Sequence, residues 1–193
     1  MATLKIIVAS TRPGRAGLPL GEWAREQAEA HGGFSKVEVI DLAEVNLPFM
    51  DEPNHPRLRQ YTKRHTHEWS AAVDEADAFV FVTPEYNHGY NAVLKNALDY
   101  LHQEWQYKPV GLVSYGGVAA GTRAAQQLKQ VLTALKLTPV YEAVAIPFVH
   151  QFIDEEGTVV ANDNMITSAK AMFDELARQT EALRPLREGA LSA

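Results

Sequence analysis

Short apolar runs alternate with longer amphipathic stretches along this chain, and the two periods predict different elements. Residues 4–9 are almost continuously apolar and rich in β-branched side chains, the pattern of a strand buried on both faces. Residues 18–30 follow, with Leu20, Trp23, Ala24 and Ala28 at helical spacing, and His31-Gly32-Gly33 ends that helix. Residues 36–42 alternate only partly and read as an edge strand. A proline-rich connection then leads to a polar helix over 57–76, anchored by Tyr61, Trp69, Ala72 and Val73. The remaining pattern gives strands over 77–84, 108–115 and 138–147, with helices over 92–101, 121–137 and 162–183.

Five strands separated by helices, with no internal repeat, call for one parallel sheet covered on both faces. Right-handed crossovers leave two common arrangements, the dinucleotide-binding order and the flavodoxin-like order 2-1-3-4-5. Both place ligands beyond the carboxyl ends of the strands, so function belongs in the loops after strands one, three and four.

Composition narrows the partners. The chain has 193 residues, enough for one domain over 1–193, and a formal charge of −6, which argues against nucleic acid or an anionic membrane. It has no cysteine, so redox work requires a cofactor, and a reducing compartment is expected. No basic segment precedes the first apolar run, and no run reaches the roughly 20 residues of a membrane helix. The expected location is the cytoplasm.

The loop after strand one, Ser10-Thr11-Arg12-Pro13-Gly14-Arg15-Ala16-Gly17, combines hydroxyls, two guanidinium groups and glycines at the entry to a helix. Backbone N–H groups and the helix dipole make such an entry an anion site, and two arginines suit the double charge of a phosphate monoester. It matches neither common nucleotide fingerprint. After strand three, Pro84 forces a sharp exit, and Glu85, Tyr86 and Asn87 offer an aromatic ring and an amide to a planar heterocycle. After strand four, the glycine-rich run 114–123 lets backbone approach a ligand edge.

Taken together, the stretches STRPGR, TPEYNHGYNAVLKNALDY and KPVGLVSYGGVAAGTRA resemble the NADPH-dependent FMN reductase family, over more than half of the chain. The resemblance implies a flavodoxin-like sheet of order 2-1-3-4-5, FMN as cofactor and NADPH or NADH as reductant. It also implies homodimers or homotetramers and a small-molecule electron acceptor. By the same resemblance Ser10, Arg12 and Arg15, with the backbone of Gly17 and Leu18, hold the phosphate. Pro84, Glu85, Tyr86 and Asn87 line the flavin ring, Ser114, Tyr115, Gly116 and Gly117 meet its other side, and Arg123 shapes the nicotinamide side. His88 stands where many relatives have a small residue, which leaves the oxidant open.

The implied turnover is ping-pong: a reduced nicotinamide delivers hydride to the flavin and leaves, and a quinone, flavin, azo compound, metal oxyanion or oxygen collects the electrons. An FMN-binding electron carrier and a flavin-free NADPH-binding regulator are the rival readings. Lys95 and Asp99 read as a surface ion pair, and 153–163 as a surface hairpin. His65 and His67, two apart on a helix, point to different faces and share a metal poorly.

Overall fold

Because side chains alternate along a strand, each strand divides its residues between two cores. In β1 (Thr3–Val8), Leu4 and Ile6 enter one core and Ile7 the other. In β3 (Ala78–Pro84), Val80 and Val82 face the first core, and Phe79 and Phe81 face the second. β4 (Pro109–Tyr115) repeats the division: Val113 and Tyr115 lie on the first side, Val110 and Leu112 on the second. These assignments come from a computed structural model that describes residues 2–189.

Two helices cover the first face. α1 (Gly17–His31) contributes Leu20, Trp23 and Ala24, and α6 (Asp163–Arg187) contributes Met172, Phe173 and Leu176. The other face carries α3 (Arg64–Asp74), α4 (Ala92–Asp99) and α5 (Thr122–Ala134) through Trp69, Leu94, Leu98, Leu128 and Leu132. A single turn, α2 (Leu42–Val45), follows β2 (Lys36–Asp41). The sheet is parallel with order β2-β1-β3-β4-β5, where β5 is Thr138–Pro139, the flavodoxin-like arrangement, and β2 is an edge as its partial alternation predicts.

Three elements differ from the sequence expectation. The fifth strand is divided into β5 (Thr138–Pro139) and β6 (Val144–Ile146), both paired with β4. Val110 and Val113 are three residues apart in β4, whereas their partners Pro139 and Val144 are five apart. The extra residues bulge outward as the exposed Tyr141 turn, which an edge strand tolerates. The polar helix begins at Arg64, not 57, because Arg59 adopts a left-handed backbone and the Glu52 carboxylate accepts the N–H groups of Thr62 and Lys63. α6 continues to Arg187, whose guanidinium donates to Asp77 at 3.1 Å. The hairpin over 153–163 is present, closed by pairing of Ile153 with Val159.

Candidate functional site

The carboxyl ends of β1, β3 and β4 lie side by side, and their exits line one cavity of about 430 Å³. Its volume falls within the roughly 300–1,000 Å³ usual for small-ligand sites. Of the residues expected at the site, Ser10, Arg12 and Arg15 line it from the first exit, Pro84, Glu85 and Tyr86 from the second, and Tyr115, Gly116 and Gly117 from the third. Gly17, Leu18, Asn87, Ser114 and Arg123 do not line it, and each has a local reason.

Gly17 is the first residue of α1, and a Cβ there would lie 2.8 Å from the Tyr115 hydroxyl oxygen. The glycine thus admits a tyrosine beneath the helix. Leu18 turns to a separate surface groove beside Trp23. Asn87 and His88 both have positive φ, 50° and 70°, and form the two-residue turn of a tight hairpin in which Tyr86 and Gly89 exchange backbone hydrogen bonds. Ser114 belongs to the opposite face of β4, where its hydroxyl donates to the Ala120 carbonyl at 2.9 Å.

Glu85 and Arg123 form a clamp between two loops. The N-cap of α5 is Gly121, which supplies no side chain, and the Glu85 carboxylate substitutes by accepting the N–H groups of Arg123 and Ala124. It also accepts the Arg123 guanidinium. Burial resists ionisation of Glu85, but these donors outweigh it and hold its carboxyl below the usual range. Gly121 is required for close approach as well, since a Cβ there would stand 2.6 Å from the Tyr115 backbone nitrogen, at a φ of 77°.

The first exit is electrostatically incomplete. Arg15 N donates to Arg12 O at 3.1 Å, closing a turn with Gly14 in the left-handed region. The Arg15 guanidinium pairs with the buried Asp41, yet its Nε is buried with no acceptor. Arg12 is exposed and makes no ion pair among the described residues. α1 has no side-chain N-cap and no acidic residue in its first turn, so its N-terminal donors and dipole are left for an outside anion. Ser10 Oγ lies 2.9 Å from Tyr86 Oη and ties the first exit to the second.

A fourth wall was not foreseen from the sequence. Phe148, Val149, His150 and Gln151 also line the cavity, directly beyond β6. Their backbone docks on the glycines of the third exit: Phe148 N donates to Gly117 O at 3.2 Å and Val149 N to Gly116 O at 3.3 Å. Phe148 is 51% exposed and has a φ of 46°, a left-handed conformation that bulky residues rarely adopt. The sequence held one signal for this wall: Pro147 stands behind β6 much as Pro84 ends β3.

Together, the sheet order and a cavity offering donors at one end and aromatic and backbone surface elsewhere define a nucleotide-binding α/β protein of flavodoxin type. The family model described as NADPH-dependent FMN reductase matches residues 3–151. An NAD(P)H-dependent FMN reductase of Schizosaccharomyces pombe is 41% identical over 146 residues, 74% of this chain and 72% of the relative. An FMN-dependent NADPH-azoreductase of Staphylococcus saprophyticus is 28% identical over 173 residues, 89% of this chain and 91% of that protein. Among solved structures, the flavoenzyme NAD(P)H:(acceptor) oxidoreductase FerB of Paracoccus denitrificans superposes with a TM-score of 0.75 at 20% identity, covering 94% of this chain and 98% of that one, a likeness of fold. The chain belongs to the NADPH-dependent FMN reductase family and is an oxidoreductase that uses FMN and a reduced nicotinamide. No helix among the described residues is long and apolar enough to cross a membrane.

Proposed function

We propose that the four-walled cavity holds FMN and that the enzyme passes electrons from a reduced nicotinamide to a small acceptor in ping-pong fashion. The observation that carries this reading is the meeting of an uncapped α1, a basic turn and a glycine-lined edge around one cavity. The residues fit the cofactor: an anion-ready helix end and a guanidinium Nε lacking an acceptor suit its phosphate, and a hydroxyl, an aromatic ring and exposed backbone suit its planar portion. When bound, FMN supplies hydride and electron transfer chemistry that no side chain provides.

The chain's own contribution is position and electrostatics. Arg12 and the first turn of α1 fix the phosphate, and Arg15 assists through the edge that Asp41 leaves open. Tyr86, steadied by Ser10, and the backbone of Gly116 and Gly117 orient the ring. The Glu85–Arg123 clamp holds the second and third exits at constant spacing, so no acid or base is assigned to Glu85. A Cβ at Gly117 would meet nothing within 4 Å, so this edge of the cavity is open, and in our reading donor and acceptor take turns at it. We place the second subunit of a homodimer or homotetramer beside this opening.

Purified protein tests the reading directly. A yellow preparation that NADPH bleaches anaerobically, with parallel-line kinetics against a quinone acceptor, is the expected result. A colourless preparation that gains no flavin on incubation with FMN overturns it.

A further inference from the structure

We propose that Tyr115 belongs to the phosphate cradle, its hydroxyl donating a hydrogen bond to the phosphate monoester of FMN at the N-terminus of α1. The proposal rests on the reading that the cavity holds FMN, and it separates Tyr115 from the ring-binding role that the family resemblance implies for the third exit.

Strand parity sends the side chain there. Tyr115 ends β4 on the same face as Val113, the face covered by α1 and α6, whereas Ser114 faces α5. The ring is packed in the core and the residue is 5% exposed. Its hydroxyl oxygen is buried beside Ser10 without a well-formed hydrogen bond, and it sits at the first residue of α1, where a Cβ on Gly17 would lie 2.8 Å away. A buried hydroxyl left without a partner is costly, and native structures tolerate few of them.

The polar neighbours of this hydroxyl favour an anion. Ser10 Oγ lies beside it and is shared with Tyr86, and the positive charges of Arg15 and Arg12 face the same spot. Burial pushes the Tyr115 hydroxyl well above its ordinary pKa, so it remains a donor at working pH. Helix N–H groups, two guanidinium groups and a protonated phenol around one point make a set in which donors outnumber the acceptors that the Ser10 and Tyr86 hydroxyls supply. A ring edge with mixed donors and acceptors suits such a set poorly, and a phosphate monoester, with three acceptor oxygens, suits it well.

Tyr115→Phe tests this without disturbing the packed ring. Apoprotein is titrated with FMN and with riboflavin, which lacks the phosphate, following flavin fluorescence. The expected result is a Kd for FMN raised between about tenfold and a hundredfold, the range for one hydrogen bond to a charged group, with the riboflavin Kd unchanged. The melting temperature of ligand-free Tyr115→Phe should equal or exceed that of wild type, because an orphaned hydroxyl has been removed. Equal loss of FMN and riboflavin returns Tyr115 to the ring and overturns the proposal. So does an unchanged FMN Kd, or a loss confined to NADP⁺ used as titrant, which assigns the cradle to the nicotinamide cofactor's phosphate. A wild type that prefers FMN to riboflavin while Tyr115→Phe keeps the same preference refutes the Tyr115 assignment alone. A wild type that binds neither flavin removes the flavin site itself.

Discussion

The two ends of the sheet carry clefts of similar size and opposite chemistry. The cavity among the three exits at the carboxyl end holds about 430 Å³, a neighbouring groove between α2 and α4 about 510 Å³, and the cleft at the amino end about 470 Å³. At the amino end the charges are answered within the chain. Lys108 Nζ donates to the carbonyls of Val73 and Asp74, Asp77 accepts both Thr3 N and Arg187, and Lys5 pairs with Glu38 and Glu75. At the carboxyl end an exposed arginine, an uncapped helix, an orphaned guanidinium nitrogen and an orphaned phenol await partners. Volume does not locate function here. Unanswered donors gathered on one cavity do, because scattered ones such as His31 Nδ1 and Thr66 Oγ1 line no shared site, whereas Arg15 Nε and the Tyr115 hydroxyl belong to residues of the same cavity.

The sharpest way to break this comparison is at Glu104, near the amino end. It is 0% exposed and accepts from Tyr61 Oη at 2.8 Å, Ser70 Oγ at 2.7 Å and His102 N at 3.2 Å, with Arg59 Nε 3.3 Å away. Glu104→Ala leaves two hydroxyls and a backbone N–H without their acceptor, at about 1–3 kcal/mol each, while Arg59 keeps Asp74, and is expected to cost about 3–5 kcal/mol in urea unfolding. A loss below about 1 kcal/mol shows that the answered network does not hold the fold.

Lys108 gives the next effect, read through pH. Burial draws its ammonium down to about 8 from an ordinary 10.5, against the partial support of Asp74. Between those values the unfolded chain holds more protons than the folded one, so this group makes stability rise with pH across that window, by up to about 3 kcal/mol. The difference between the pH–stability curves of wild type and Lys108→Met isolates its share. A difference that is flat from pH 8 to 10 shows that the ammonium is not desolvated.

At the carboxyl end, Arg12→Ala should leave unfolding within about 0.5 kcal/mol of wild type, as befits an exposed side chain. It should weaken FMN binding by about 2 kcal/mol, roughly thirtyfold, by equilibrium dialysis. Arg15→Ala should behave differently, because Arg15 already answers Asp41: losing it strands a buried carboxylate and lowers stability together with affinity. Identical behaviour of the two variants contradicts this division of labour.

What the sequence made legible follows the same division. The alternation of strands and helices and the three loops were readable, because hydrophobic period and the position of loops after parallel strands are local signals, whereas the order 2-1-3-4-5 followed only from the family resemblance. The Arg15–Asp41 pair was not, since it needs β2 fixed beside β1, where Val8 registers with Asp41, before the partner is visible. Tyr115 and Ser114 were grouped as neighbours in sequence, although the alternation that identified their strand already places them on opposite faces. The wall at 148–151 follows a strand end that the sequence places within one residue, but its docking on Gly116 and Gly117 is a tertiary contact with no local signal.

The smallest effect concerns Phe148, where the comparison predicts a substitution that stabilises. At a φ of 46° the aromatic residue sits in a region costing of order 1–3 kcal/mol, and half of its surface faces solvent, so packing returns only part of that cost. Asparagine tolerates the left-handed region well. Phe148→Asn should therefore raise the unfolding free energy of the ligand-free protein by about 0.5–1 kcal/mol. The same change removes an aromatic wall from the cavity opening and should raise KM for planar aromatic acceptors while leaving ferricyanide reduction near wild type. Tyr107 at the amino-end cleft has a φ of 59° as well but lies beneath Lys136 Nζ, whereas the Phe148 ring lines the cavity, where a ligand gives its display a use. A Phe148→Asn enzyme that is less stable yet handles every acceptor as wild type does makes Phe148 a packing residue and moves this corner of the molecule to the answered side of the comparison.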